Sequence, residues 1–197
     1  MLELKSISKK FASEIFTNFS YKFENNIYFL RGNNGSGKTT LLKIIKGIYI
    51  CDSGELILDH EKNQKDDVAY IDSNPRTFFH RLTVKQNLEY FSSIHNKNND
   101  RKTQVDILNM FNLSNLLHKN FSSLSQGQMQ LISLVRGLSS DPSIILLDEV
   151  FSSLDEYNKK ILSKYISKFI LRKKSLVIFT SHEDNYDDIA YKELCLS

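Results

Sequence analysis

The chain is short of the residues that build stapled, metal-bound or membrane-embedded folds. Its 197 residues include no tryptophan, two prolines and only two cysteines, Cys51 and Cys195. Two thiols so far apart make no disulfide framework and no metal or redox spacing, which predicts free cysteines in a reducing compartment. No run approaches the roughly 18–20 uncharged apolar residues that a membrane span needs. The first residues lack a signal-peptide pattern, so a membrane role is expected only through a partner. Charge of one sign is not in excess either. The 26 Lys and Arg against 23 Asp and Glu leave a net +3, too little to argue for nucleic acid or an anionic membrane surface. With 41% hydrophobic and 25% charged residues, the chain is expected to fold as one globular domain with room for a subdomain.

Glycine is scarce at seven, yet three fall in Gly32-Asn33-Asn34-Gly35-Ser36-Gly37-Lys38-Thr39-Thr40. This stretch fills every position of G-x-x-x-x-G-K-[ST]. Ile27-Tyr28-Phe29-Leu30 before it has the length and composition of a buried strand, and Leu41, Ile44, Ile45 and Ile48 after it fall on one helical face. Strand, glycine loop and helix together point backbone N–H groups and a helix N-terminus at an anion. In that geometry the backbone from Asn33 to Thr40 cradles a polyphosphate, Lys38 reaches the β and γ phosphates, and the Thr39 hydroxyl faces Mg²⁺. The implied ligand is a nucleoside triphosphate.

The rest of the chain alternates between two periods. Leu2, Leu4 and Ile7 predict a first strand, and Phe19, Tyr21 and Phe23 a second, with Asn25-Asn26 expected to turn it back as a tight hairpin. Asp52-Ser53-Gly54-Glu55 reads as a turn into Leu56-Ile57-Leu58; a polar stretch from Asp59 to Asp67 precedes a strand at Val68-Ala69-Tyr70-Ile71. Thr83 and Gln86 predict a capping box, followed by Val84, Leu88 and Phe91 on one face. Asn96 to Lys102 is expected to be a loop, and Ile107, Leu108 and Phe111 mark another helix. Ser125 is a good N-cap for a helix carrying Leu131, Leu134, Val135 and Leu138, and Gly127 lets a ligand approach its first turn. Ser143 to Leu147 reads as a buried strand ending in Asp148-Glu149. Asp155 caps a helix with Tyr157, Ile161, Tyr165 and Phe169 on one face. Leu176-Val177-Ile178-Phe179 forms a strand ending in Thr180-Ser181-His182.

Beside a phosphate loop, the paired acids have a use: the first can hold hydrated Mg²⁺ and the second can polarise a water. Ligands gather at the carboxyl ends of parallel strands, which places His182 on the rim with Lys38 and Glu149. Phe11, in polar surroundings, reads from its neighbours as a loop aromatic folded back on the core.

In this order the motifs resemble the nucleotide-binding subunit of ABC transporters over essentially the whole chain. Leu124-Ser125-Gln126-Gly127-Gln128 is similar to the family signature, Ile144 to Glu149 to the Walker B strand, Ser153-Leu154-Asp155 to the D-loop, and His182 to the switch histidine. The resemblance implies an α/β P-loop NTPase (RecA-like) fold: a mixed sheet with an N-terminal antiparallel β subdomain and an inserted α-helical subdomain. The nucleotide-binding core would comprise 1–73 and 140–197, and the helical signature subdomain 74–139. It further implies an ATPase with ATP and Mg²⁺ as ligands. Two subunits, identical or not, would face head to tail, each ATP lying between one P-loop and the other subunit's Ser125, Gly127 and Gln128. Thr39 and Asp148 would hold Mg²⁺, Glu149 would act on water, His182 would steady the γ-phosphate and Phe11 would stack on adenine. Integral-membrane permease subunits would hold the protein at the inner face of the membrane, with no role for nucleic acid. Compactness after His182 suggests an exporter; the other reading is a mechanical or regulatory ATPase that moves no solute. Three departures from the family pattern stand out. Ser73 replaces the Q-loop glutamine, Val150 a proline, and Asn26 a glycine. Phe78 and Phe79, where the family receives its permease, read equally as partner contacts or as local packing.

Overall fold

Alternating apolar residues near the N-terminus build one sheet, and short continuous apolar runs build a second. The computed structural model describes residues 2–58, 67–74, 77–94, 101–172, 175–182, 186 and 188–196. In the first sheet, β1 (Leu2–Lys10) pairs antiparallel with β2 (Glu14–Phe23) on one side and with β4 (Ser53–Leu58) on the other. The second sheet holds β3 (Ile27–Arg31), β5 (Val68–Asp72), β6 (Ile144–Asp148), β7 (Leu176–Thr180) and β8 (Lys192–Cys195). Its order is β5-β6-β7-β3-β8, and each pairing is parallel. Every residue of β6 and β7 is buried, as expected for central strands covered on both faces.

Helices cover those faces. α1 (Lys38–Lys46) buries Leu41, Leu42, Ile44 and Ile45 in a core with Leu30, Leu146 and Ile178. On the other side, α4 (Gln126–Ser139) and α5 (Glu156–Arg172) pack Leu134, Leu138, Leu162 and Ile166 with Ile145, Leu147 and Phe179. α2 (Val84–Ile94) and α3 (Arg101–Met110) join that second core through Val84, Leu88, Ile107 and Leu108. The carboxyl ends of β3, β6 and β7 therefore share one rim, where the P-loop, the two acids and His182 emerge.

Several expectations are corrected. Asn25-Asn26 makes no hairpin, because β2 and β3 lie in different sheets. Neither residue has positive φ. Instead the Asn26 carbonyl accepts the Val177 N–H at 3.0 Å and its Oδ1 accepts the Ile27 N–H at 2.8 Å, which starts β3 beside β7. Gly54 lies inside β4 with φ 90°, and a Cβ there would fall 2.3 Å from the Ser6 carbonyl oxygen, so it serves close strand approach at a bulge. Ile48 is 52% exposed, because α1 ends at Gly47. On α5 the buried stripe is Leu162, Ile166 and Phe169, while Tyr157 is exposed. Arg101 and Lys102 are helical rather than loop; the rest of the loop expected from 96, like the stretch 59–66, lies outside the described residues. β8 carries Lys192 and Glu193 at the sheet edge, a pattern too polar to have stood out as a strand.

The Thr83–Gln86 capping box forms, with N–H to side-chain bonds of 2.9 and 3.2 Å. One turn on, the fully buried Asn87 accepts the Phe79 N–H at 2.8 Å and donates to the Phe79 and Thr83 carbonyls at 3.0 and 3.1 Å. One side chain thus fixes the loop before α2. Asn87→Ala is expected to cost about 2–3 kcal/mol, since it strands buried backbone groups; urea unfolding monitored by circular dichroism measures it.

Candidate functional site at the strand ends

Gly35 and Gly37 adopt left-handed backbone (φ 87° and 93°), which a side chain would resist. Gly37 is also crowded, since a Cβ would lie 2.6 Å from Ile15 and 2.7 Å from Phe16 of β2. Gly37 is the N-cap of α1 and has no side chain to cap with, so the first-turn N–H groups point at whatever occupies the loop. Asn33, Asn34 and Gly35 are exposed at its crest, with Ser36 and Thr40 half-buried beside it. Lys38 folds over the loop, donating from Nζ to the carbonyls of Gly32 at 2.6 Å and Asn33 at 3.1 Å. These two oxygens hold the ammonium against the loop.

Asp148 is buried at the end of β6 and its carboxylate takes three hydroxyl donors. Thr39 and Thr180 donate to Oδ1, each at 3.0 Å, and Tyr70 donates to Oδ2 at 2.8 Å. Burial, then the Asp148 charge, pushes the Tyr70 phenol far above its ordinary pKa, so it stays a donor. Thr180 also accepts the Glu149 N–H at 3.0 Å. Glu149 has φ 57°, an uncommon conformation for a non-glycine residue, which swings it off the strand line. Its Oε2 accepts from Ser152 Oγ at 3.1 Å and lies 3.7 Å from His182 Nε2. Lys38, Thr39, Asp148, Glu149 and His182 thus share one rim. The hydroxyls that support them, from Tyr70, Thr180 and Ser152, belong to no sequence motif; Tyr70 sits inside an apolar run that reads simply as strand.

The other helix start stands beside them. Ser125 Oγ accepts the Gln128 N–H at 3.3 Å and the Gln128 side chain accepts the Ser125 N–H at 3.0 Å, a complete capping box. The Gln128 amide oxygen is therefore committed to its own helix. Gly127 is exposed, and a Cβ there would meet nothing within 4 Å. Gln126 and Gly127 line a cleft of about 490 Å³ with Ser73, Glu149, Ser152, Ser153 and His182. Gln130, one turn on and buried, donates to the Asp72 carbonyl at 2.9 Å and so links α4 to the end of β5.

Phe11 is 51% exposed at the β1–β2 turn, edge-on to Tyr49 at 5.5 Å, which corrects its reading as a core residue. Phe78 and Phe79 divide. Phe78 is buried and stacked on Phe121 at 4.4 Å, with the Arg136 guanidinium 4.5 Å over its ring. Phe79 is 45% exposed against Tyr90. Close by, Lys46, Tyr70, Thr77, Phe91 and Arg136 line a groove of about 320 Å³.

Residues 16–152 match the family model described as "ABC transporter". The cytochrome c biogenesis ATP-binding export protein CcmA of Reclinomonas americana is 32% identical over 86% of this chain and 79% of its own length. The zinc import ATP-binding protein ZnuC of Ehrlichia ruminantium is 31% identical over 100% of this chain and 80% of its own. A dimeric ATP-binding cassette solved in a post-hydrolysis state, bound to ADP and Pi, superposes with TM-score 0.80 at 21% identity, covering 93% of this chain and 88% of that one.

Thr180→Val keeps shape but removes the hydroxyl that serves both Asp148 and the Glu149 N–H. An expected loss of about 2–3 kcal/mol in urea unfolding reflects the two buried groups left short of a partner.

Proposed function

The chain belongs to the ABC transporter family as one of its ATP-hydrolysing, ATP-binding subunits, and from there we propose that two such subunits close around two Mg-ATP to drive a separately encoded permease. The observation that carries the catalytic part is the strand-end constellation: Thr39 and Asp148 in contact, with Glu149 beside them and His182 3.7 Å away. Hydroxyl and carboxylate oxygens suit a hard cation, so Thr39 and Asp148 would hold Mg²⁺, which when bound offsets the polyphosphate charge. Lys38 exchanges the Gly32 and Asn33 carbonyls for the β and γ phosphates. Asn33 to Thr40 present their N–H groups to the same oxygens. Glu149 takes a proton from the water that attacks the γ-phosphorus, ADP departs, and His182 steadies the γ-phosphate. Phe11, exposed at the edge of the loop region, stacks on adenine beside Tyr49.

The start of α4 supports the two-chain arrangement. It is an exposed, self-capped helix N-terminus with an open glycine, shaped for an anion presented by a second chain. Ser125 and Gly127 would close the γ-phosphate site of the partner, whether that partner is a second copy or a related subunit, while the Gln128 side chain holds the cap. The core would then span 1–73 and 140–197 and the signature subdomain 74–139. Since nucleotide bridges both chains, binding favours the closed pair and hydrolysis releases it. The exposed Phe79–Tyr90 pair and the adjoining groove would receive a cytoplasmic segment of the permease, which would keep the protein at the inner membrane face. The cytochrome c biogenesis relative is named for export and the zinc relative for import, so solute transport by the chain paired with its permease decides the direction.

Glu149→Gln is expected to lower ATP turnover by roughly 100-fold or more and to let ATP trap a dimer on size exclusion; a chain that stays monomeric with ATP would overturn the paired site. Ser125→Arg should abolish turnover while a fluorescent ATP analogue still binds the P-loop. Normal hydrolysis in that variant would reject the role of the α4 start.

A further inference from the structure

Beyond the rim, four oxygen-bearing side chains form a continuous line into the core. Tyr186 OH contacts Ser181 Oγ, Ser181 Oγ lies 2.9 Å from Ser152 Oγ, and Ser152 Oγ lies 3.1 Å from Glu149 Oε2. Proton counting fixes the direction of this line. A carboxylate has no proton to give, so Ser152 must donate to Glu149. That uses the one Ser152 proton, so Ser181 must donate to Ser152. Ser181 is then spent, and Tyr186 must donate to Ser181. The Ser152 oxygen also receives the His182 N–H at 3.5 Å.

The far end is anchored in the core. Tyr186 is 8% exposed and its ring packs on Phe151, Phe179 and Phe29 at centroid distances of 4.9, 5.2 and 5.9 Å. Phenylalanine would fill that aromatic wall equally well, so packing alone gives no reason for the hydroxyl. A buried phenol with a partner both satisfies itself and fixes that partner's rotamer. We propose that Tyr186 is a positioning residue for hydrolysis, setting the Glu149 carboxylate through Ser181 and Ser152. Ser152 and His182 both meet the carboxylate at Oε2, and among the described residues no group bonds Oε1, which leaves that oxygen for the water. The left-handed backbone of Glu149 places the side chain off the strand line, and the hydroxyl line then selects its orientation.

The inference rests on Glu149 acting on the water, as proposed above. Steady-state ATP turnover of the purified full chain tests it with Ser152→Ala, Ser181→Ala, Ser181→Thr, Tyr186→Phe and the Tyr186→Phe/Ser152→Ala pair. Ser152→Ala should lower kcat about tenfold, and Tyr186→Phe and Ser181→Ala about threefold or more, each with KM for ATP within about twofold of wild type. Ser181→Thr, which keeps the hydroxyl, should restore turnover. In the Ser152→Ala background Tyr186→Phe should add nothing, because residues acting in series are not additive. Wild-type kcat in either Tyr186→Phe or Ser181→Ala would overturn the proposal, and so would a full additional loss in the double variant. If Tyr186→Phe does not fold, the Ser181→Ala and Ser181→Thr pair decides alone. Undiminished turnover in Glu149→Gln would instead refute the role of Glu149 itself, a separate result.

Discussion

A buried carboxylate must be fully hydrogen-bonded to persist away from water, and the Asp148 carboxylate meets that demand with hydroxyls from three directions. Thr39 comes from α1, Thr180 from β7 and Tyr70 from β5, while Asp148 itself ends β6. One charge thus ties the phosphate-loop helix to three adjacent strands. The order of the sheet suits the same demand: with β6 between β5 and β7, Tyr70 and Thr180 reach the two carboxylate oxygens from opposite sides. A shift of any of these elements by a hydrogen-bond length would remove one of the carboxylate's three donors.

Glu149 shows what that rigidity makes available. The strand cannot continue straight past Asp148, and the backbone turns left-handed at the next residue, held by the Thr180 hydroxyl on its N–H. Such a conformation is costly for a glutamate and persists only where neighbours over-determine it. Here the neighbours are Thr180 on the backbone and Ser152 on the side chain. The acid is thereby aimed into the cleft shared with His182 and Gly127 rather than along the sheet.

Much of this was legible because the chemistry is local in sequence. The P-loop announces itself through the closely spaced Gly32, Gly35 and Gly37 ahead of Lys38, the Ser125 cap through Gln128 three residues later, and the strands β3, β6 and β7 through unbroken apolar runs that only a doubly covered sheet can bury. What stayed hidden depends on pairings across the chain. Nothing near Asn25-Asn26 reveals that β2 and β3 belong to different sheets, and the polar edge strand β8 lacks the apolar period of its neighbours. Tyr70 reads as one more β-former until Asp148, 78 residues later, is placed beside it. Phe78 and Phe79 are indistinguishable in sequence. Only the stacking of Phe121 against the first decides which is core.

The phosphate loop is also wedged between distant parts of the chain. Ile15 and Phe16 press on Gly37 from one side, and the Leu196 N–H bonds the Arg31 carbonyl while its own carbonyl closes on Gly32 from the other. During synthesis, therefore, the β2 side of this brace leaves the ribosome before the loop, and the Leu196 side long after it. A nascent chain that has passed Thr40 but not Leu196 holds the loop from one side only, and the second support is added with β8.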